Sequence, residues 1–183
     1  MVEDPFEAAL RQLGDGPEDD VARLALAQRY SYVVPDATSL SILGDLAPLV
    51  EMGAGTGYWA SKLRSSGSDV IAFDQAPPDG TAPNRYHAPT ATWTGVLAGD
   101  HTALSAHTDR TLFLCWPPLF SSLGRCLTYY AGNAVACIGD GGHRTARLRS
   151  LNESFACVQV HPVWAVDPAP SVPATLSVWH RRP

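Results

Sequence analysis

The sequence predicts an α/β fold: a doubly wound, mostly parallel sheet of seven strands, with helices on both faces and an antiparallel last strand. Three observations predict it. Short apolar runs alternate with helix-length segments as far as a fifth strand, the pattern of a parallel sheet covered on both sides. The first of those runs ends in an acid and a glycine-rich turn, Leu49 to Tyr58, that leads straight into a helix. The last two runs have no helix-length segment between them, which permits an antiparallel pair. The chain has 183 residues, enough for one domain with a two-sided core and too few for two.

The elements follow in order. Residues 5–13 and 18–30 read as short helices broken at Gly14-Asp15-Gly16-Pro17, with Asp19 and Asp20 suited to a first helical turn. Tyr30 to Asp36 is an aromatic, proline-ended connection, and Asp36 caps a helix over Ala37 to Leu46. Residues 1–46 thus form an N-terminal helical cover, and 47–183 the core. The first strand is Pro48 to Met52, the next helix Tyr58 to Ser65, the second strand Asp69 to Asp74. Residues 75–94 are rich in Pro, Ala, Thr and Gly without apolar periodicity and read as a loop or irregular lid. The third strand is short, about Thr94 to Leu97. The fourth, Thr111 to Trp116, is stopped by Pro117-Pro118, and a helix follows over Phe120 to Tyr130. The fifth strand is Ala134 to Ile138, closed by Gly139-Asp140-Gly141-Gly142. A helix over Thr145 to Glu153, strands at Ser154 to His161 and Ala174 to His180, and a Pro168 to Pro173 link complete the chain.

Glycine has no Cβ, so the alternating Gly53, Gly55 and Gly57 let backbone turn tightly and come within contact of a ligand. A strand–turn–helix unit of this kind also aims free backbone N–H groups above the sheet edge. The dinucleotide fingerprint needs glycine at positions one, three and six. Here position six is Tyr58, which disfavours a nicotinamide-dependent oxidoreductase. Asp74 closes the second strand about 20 residues on, where a carboxylate suits the two hydroxyls of a ribose.

These residues resemble those of the class I S-adenosylmethionine-dependent methyltransferases, which have a Rossmann-like sheet. The acid–Gly-x-Gly-x-Gly of their first motif is matched by Glu51, Gly53, Gly55 and Gly57. The acid ending the next strand is matched by Asp74, and the Gly-Asp ending the third by Gly99-Asp100. The resemblance spans roughly residues 40–183. It implies S-adenosylmethionine as cofactor and S-adenosylhomocysteine as product. Glu51 is then placed near the methionine amino end or its supporting water network, and the three glycines form the floor under methionine and ribose, with Tyr58 beside them. Asp74 holds the ribose, and Asp100 with His101 lies near the adenine. Cys115-Trp116-Pro117-Pro118 stands beside the expected transfer site. It is similar, at a distance, to the Asn/Asp-Pro-Pro-Tyr motif of amino methyltransferases, but Trp116 replaces the polar residue and Leu119 the aromatic one.

Methyl transfer needs donor and acceptor held in line in a dry site, and a base only where the acceptor must first lose a proton. No strict catalytic signature is therefore expected. Trp116 reads either as an aromatic wall for an apolar substrate or a sulfonium, or as a core tryptophan at a strand end. His143 and Asp140, in the glycine-rich loop after the fifth strand, lie at the edge where open α/β sheets bind ligands. His143 is the first candidate for a general base and His161 the next, against the ordinary reading of surface histidines. Tyr30, Tyr32, Tyr58 and Trp59 surround the glycine motif in sequence and suit either cofactor closure or packing.

The six histidines show no metal-ligand spacing, so no metal is expected, and Cys115, Cys126, Cys137 and Cys157 read as free thiols of a cytoplasmic protein. No apolar run is long enough to span a membrane, and the acidic N-terminus does not resemble a signal peptide. The net charge of −5 argues against general nucleic-acid affinity. The cationic cluster Arg144, Arg147 and Arg149 reads equally as a solvated helix face. The expected function is methyl transfer to O or N of a small molecule. A nucleic-acid or protein N-methyltransferase using Pro117-Pro118, and an inactive interaction module, are the alternatives. The aromatic residues of the N-terminal part permit a homodimer.

Overall fold

The structure, a computed structural model, describes residues 4–117, 120–140, 149–166 and 174–183. The strands are β1 Val33–Val34, β2 Leu49–Met52, β3 Val70–Asp74, β4 Leu97–Ala98, β5 Thr111–Cys115, β6 Ala134–Asp140, β7 Phe155–Pro162, β8 Trp164–Ala165 and β9 Ala174–Arg181. The helices are α1 Pro5–Leu10, α2 Pro17–Arg29, α3 Ala37–Asp45, α4 Tyr58–Ser65, α5 Phe120–Tyr129 and α6 Arg149–Ser154, with a 3₁₀ turn over His101–Ala106. Most bounds match the sequence reading within two residues. The expected helix over Thr145 to Glu153 is described only from Arg149 onward. Arg144, Arg147 and the link Pro168 to Pro173 lie outside the described residues.

Seven strands form one sheet in the order β4-β3-β2-β5-β6-β9-β7. All pairs from β4 to β6 are parallel, and β9 runs antiparallel between β6 and β7. The expected antiparallel last strand is therefore present. Successive side chains alternate across this sheet. Val50, Leu112, Leu114, Val135 and Cys137 pack on one face with Leu123, Cys126 and Tyr130 of the α5 region. Leu49, Phe113, Ala136 and Ile138 pack on the other with Leu43, Trp59 and Leu63 of α3 and α4. Both faces are thus closed by helices, which is why the central strands read as unbroken apolar runs.

A third cluster joins the N-terminal helices to the core through Phe6, Leu10, Ala27, Tyr30 and Tyr58. Asp4 caps α1, receives the Tyr58 hydroxyl at 2.6 Å and pairs with Lys62 at 2.5 Å, so one carboxylate ties α1 to α4. Besides the 3₁₀ turn, two short strands escaped the sequence reading. β1 and β8 form a separate antiparallel ribbon, Val33 facing Ala165. Two-residue strands carry no period for a sequence to show.

Candidate functional site

Strand order reverses at β2, with β3 on one side and β5 on the other. Open α/β sheets bind ligands at the carboxyl ends of strands beside such a point. A cleft of about 1170 Å³ opens there. Its floor is Glu51 and Met52 at the end of β2, Gly53 and Ala54 of the turn, Asp74 of β3, and Cys115 with Trp116 at the end of β5. Gly99, Asp100, His101 and Tyr58 also line it. Nine of the residues singled out in sequence therefore meet in one cavity.

The turn is held more tightly than the sequence indicates. Gly53 and Ala54 both donate their N–H to the Phe73 carbonyl, at 2.8 and 2.9 Å. The Gly55 N–H donates to Asp74 Oδ2 at 2.8 Å, and the Gly57 N–H to the Ala54 carbonyl at 2.8 Å. The N–H groups of Gly53, Ala54 and Gly55 thus pin the turn to β3, and that of Gly57 closes the turn on itself. Gly55 (φ +53°) and Gly57 (φ +73°) adopt the left-handed backbone that glycine alone takes without strain. Neither lies on the cleft wall. The His87 imidazole covers the bare face of Gly55, and Val96 and Thr94 cover that of Gly57.

Glu51 is the most unusual group. It is 1% exposed, and its Oε2 is the one fully buried side-chain oxygen or nitrogen among the described residues with no hydrogen-bond partner. Burial pushes its carboxyl up to about 8, with Arg64 and the Ala60 N–H offsetting part of that effect. Asp74 shows the opposite condition. Besides Gly55, it receives the Ala76 N–H at 2.9 Å and, at 3.5 Å, the Asn84 amide. Asp100 caps the 3₁₀ turn through Thr102, whose hydroxyl and N–H hold its carboxyl below the usual range. The His101 ring lies 5.2 Å from that of Tyr129.

Trp116 has φ 53°, a left-handed conformation costly for a bulky residue, and its N–H donates to the Ile138 carbonyl at 2.9 Å. That bond extends the β5–β6 pairing by one residue and anchors its backbone at the strand end. Cys115 beside it stays a neutral thiol, because burial and then the nearby Glu51 raise its pKa. All four cysteines are free, and burial lifts Cys126 to about 11 and Cys137 to about 12. Asp140 ends β6 opposite Ala174. His143 and Pro118 lie outside the described residues. His161 sits on β7 with Nε2 3.2 Å from Asp36, the cap of α3, and is not part of the cleft wall.

Sequence reasoning missed how the roof is fastened. Residues 75–94 are irregular, as expected, but fastened at several points. The Trp93 N–H donates to the Thr56 carbonyl and its indole N–H to Arg29, at 2.8 and 2.9 Å, while its ring stacks on Tyr30 at 4.9 Å. Arg64 reaches Thr94 and Gly95. Tyr32 donates its hydroxyl to the Tyr86 carbonyl at 2.7 Å. Only the presence of Trp, Tyr and His in a proline-rich stretch signalled this.

No protein-family model matches the chain, and no curated protein matches it. Solved structures do. The N-methyltransferase NodS of Bradyrhizobium japonicum, in complex with S-adenosylhomocysteine, is 12% identical with a TM-score of 0.52, over 97% of both chains. An S-adenosylmethionine-dependent O-methyltransferase of Thermotoga maritima is 15% identical with a TM-score of 0.52, over 81% of this chain and 66% of that one. Streptococcus pneumoniae Sp1610, assigned to tRNA (m1A22) methylation, is 11% identical with a TM-score of 0.53, over 80% of this chain and 71% of its own. Sheet order, the acid–glycine turn at the switch point and these neighbours agree: the chain has the fold of the class I S-adenosylmethionine-dependent methyltransferases.

Proposed function

We propose that the protein is an S-adenosylmethionine-dependent methyltransferase acting on O or N of a small molecule. The observation that carries this reading is the unpartnered Oε2 of Glu51, buried in the cleft that also holds Asp74. A buried polar atom without a partner is costly, and a carboxyl raised to about 8 is poised to ionise when a cation arrives. An amino-acid ammonium is such a cation. Asp74 at the neighbouring strand end suits a ribose hydroxyl, and Asp100 with His101 the adenine end. The cofactor, when bound, supplies an activated methyl group on a sulfonium centre. The chain's own work is then to bind, orient and exclude water. Glu51 fixes one end of the ligand and Asp74 the middle. The N-terminal cover and the 75–94 segment shield the cleft, and Trp116 forms the wall at the end of β5. Acid–base roles for Asp140 and His143 belong to the same proposal.

A small acceptor is preferred over nucleic acid on charge. The chain carries −5 overall, and Asp20, Asp74 and Asp100 outnumber Arg85 and Arg125 along the cleft. Calorimetric titration with S-adenosylhomocysteine tests the cofactor: micromolar binding is expected, and none by the wild-type protein refutes the reading. Incubation of a cell extract with labelled S-adenosylmethionine tests the acceptor. Label in the low-molecular-weight fraction supports the proposal; label confined to RNA, DNA or protein overturns the small-molecule part.

A further inference from the structure

His87 belongs to no motif of the sequence, yet its imidazole takes a defined place in the cleft. Nδ1 lies 2.9 Å from the Gln28 carbonyl oxygen. A carbonyl only accepts, so Nδ1 carries the proton and Nε2 is left as a bare acceptor. Burial lowers the pKa of the ring, which keeps it neutral in this tautomer. Nε2 lies against the bare face of Gly55, the residue whose N–H is bound to Asp74, and finds no hydrogen-bond partner among the described residues. Asn84 braces both acceptors. Its amide reaches the Ala76 carbonyl at 2.6 Å and Asp74 at 3.5 Å, and its oxygen receives the N–H groups of Tyr86 and His87 at 2.8 and 2.9 Å.

A count of donors and acceptors gives this placement its meaning. A carboxylate accepts about four hydrogen bonds. Asp74 already receives Gly55, Ala76 and, more weakly, Asn84, which leaves it room for about one strong bond. A ribose edge presents two hydroxyls, each with one proton to donate. The second hydroxyl requires another acceptor, and His87 Nε2 stands next to the same glycine.

We propose that His87 is a ligand-binding residue of this cleft, its Nε2 accepting from one hydroxyl of a ribose diol while Asp74 accepts from the other. The proposal rests on the cofactor reading above and assigns the pair of sugar contacts within it. The 75–94 segment is then part of the binding site, in addition to its covering role.

The test is calorimetry with S-adenosylhomocysteine and its 2′-deoxy and 3′-deoxy forms. The wild-type protein is expected to bind S-adenosylhomocysteine at least about tenfold more tightly than either deoxy form, the worth of one buried hydrogen bond. His87→Ala is expected to lose about tenfold for S-adenosylhomocysteine. It should also lose discrimination at one hydroxyl, to within about twofold, while discrimination at the other persists. His87→Gln, which keeps an acceptor, should recover part of both effects. His87→Phe keeps the ring without an acceptor and should behave as the alanine variant does, which guards against misfolding of the latter. Equal or tighter binding by His87→Ala would show that the imidazole merely occupies the seat. An equal loss for all three ligands would show a packing role. Either overturns the proposal and leaves the cofactor reading intact. Failure of the wild-type protein to bind any of the three removes the cofactor reading, and the role of His87 with it.

Discussion

Replacing Glu51 with Gln separates the cost of its carboxyl from everything else in the fold. In the folded chain the group ionises near 8, against an ordinary value of 4.5. Between those values the folded state keeps a proton that the unfolded state has lost. The folded state binds more protons there, so stability falls as pH rises, by roughly 1–2 kcal/mol per pH unit, and levels off above about 8. Gln has nearly the same shape and does not titrate. The melting temperature of Glu51→Gln minus that of wild type should therefore increase by about 3–5 °C per pH unit across this window, for a chain of this size. Differential scanning calorimetry of the ligand-free proteins from pH 5 to 9 measures it, and the subtraction cancels all other titrating groups. A difference that stays flat with pH, or a wild type more stable than the variant at pH 8, would refute the assignment of Glu51 as a buried, uncompensated acid. The same group predicts a reversed preference once ligand is present. A bound ammonium lowers the pKa, so S-adenosylhomocysteine binding at pH 6.5 should release close to one proton, read from enthalpies in two buffers. The variant should bind more weakly by about 1–3 kcal/mol.

Other expectations follow from the same geometry. Asp74→Ala should weaken S-adenosylhomocysteine binding by about 1–3 kcal/mol in calorimetry, because a partner of buried hydroxyls is removed and the Gly55 N–H is released. Gly57→Ala should destabilise the fold by about 1–3 kcal/mol in urea unfolding. Its left-handed φ is unfavourable for alanine, and the added Cβ would meet Val96 Cγ2 at 2.7 Å. Asp4→Ala should cost about 1–2 kcal/mol in the same assay, since it removes the α1 cap and the link to Tyr58 and Lys62 together. Thiol titration of the native protein at pH 8 should find Cys126 and Cys137 unreactive, since burial keeps both protonated far above that pH.

The parts legible in the sequence are those with a period or a fixed local shape. Leu49–Met52, Val70–Asp74 and Thr111–Cys115 read as buried parallel strands because both faces of the sheet are covered, which leaves them without polar alternation. Asp36 was visible as a cap because its side chain does local work, accepting the N–H groups of Thr38 and Ser39. Glu51 was visible because it ends a strand that runs into a glycine turn, and Asp74 because it closes the next apolar run, about 20 residues beyond the glycines. The fastening of the roof was not legible. Trp93 and His87 are fixed by contacts to residues distant in sequence, and Asn84 by hydrogen bonds inside a loop that has no repeat. The left-handed Trp116 was equally hidden, since nothing in its neighbours demands that conformation.

The fate of the turn N–H groups bears on which nucleoside cofactor this cleft accepts. A dinucleotide site presents unpaired backbone N–H groups to a pyrophosphate, at the positive end of a helix. Here those of Gly53, Ala54, Gly55 and Gly57 are all spent on β3 or within the turn. Beside the turn, the cleft presents the protonated Glu51 carboxyl, the Asp74 carboxylate and the unprotonated His87 nitrogen. An anionic linker would find no unpaired N–H on these four residues, and the Asp74 carboxylate beside them. A ligand with an ammonium, a sulfonium and a sugar diol brings donors and positive charge to that same surface. Titration with NAD should accordingly give no measurable heat under conditions where S-adenosylhomocysteine binds. Tighter binding of NAD would refute the electrostatic argument, because two phosphates would then have displaced bonds that hold the turn to β3.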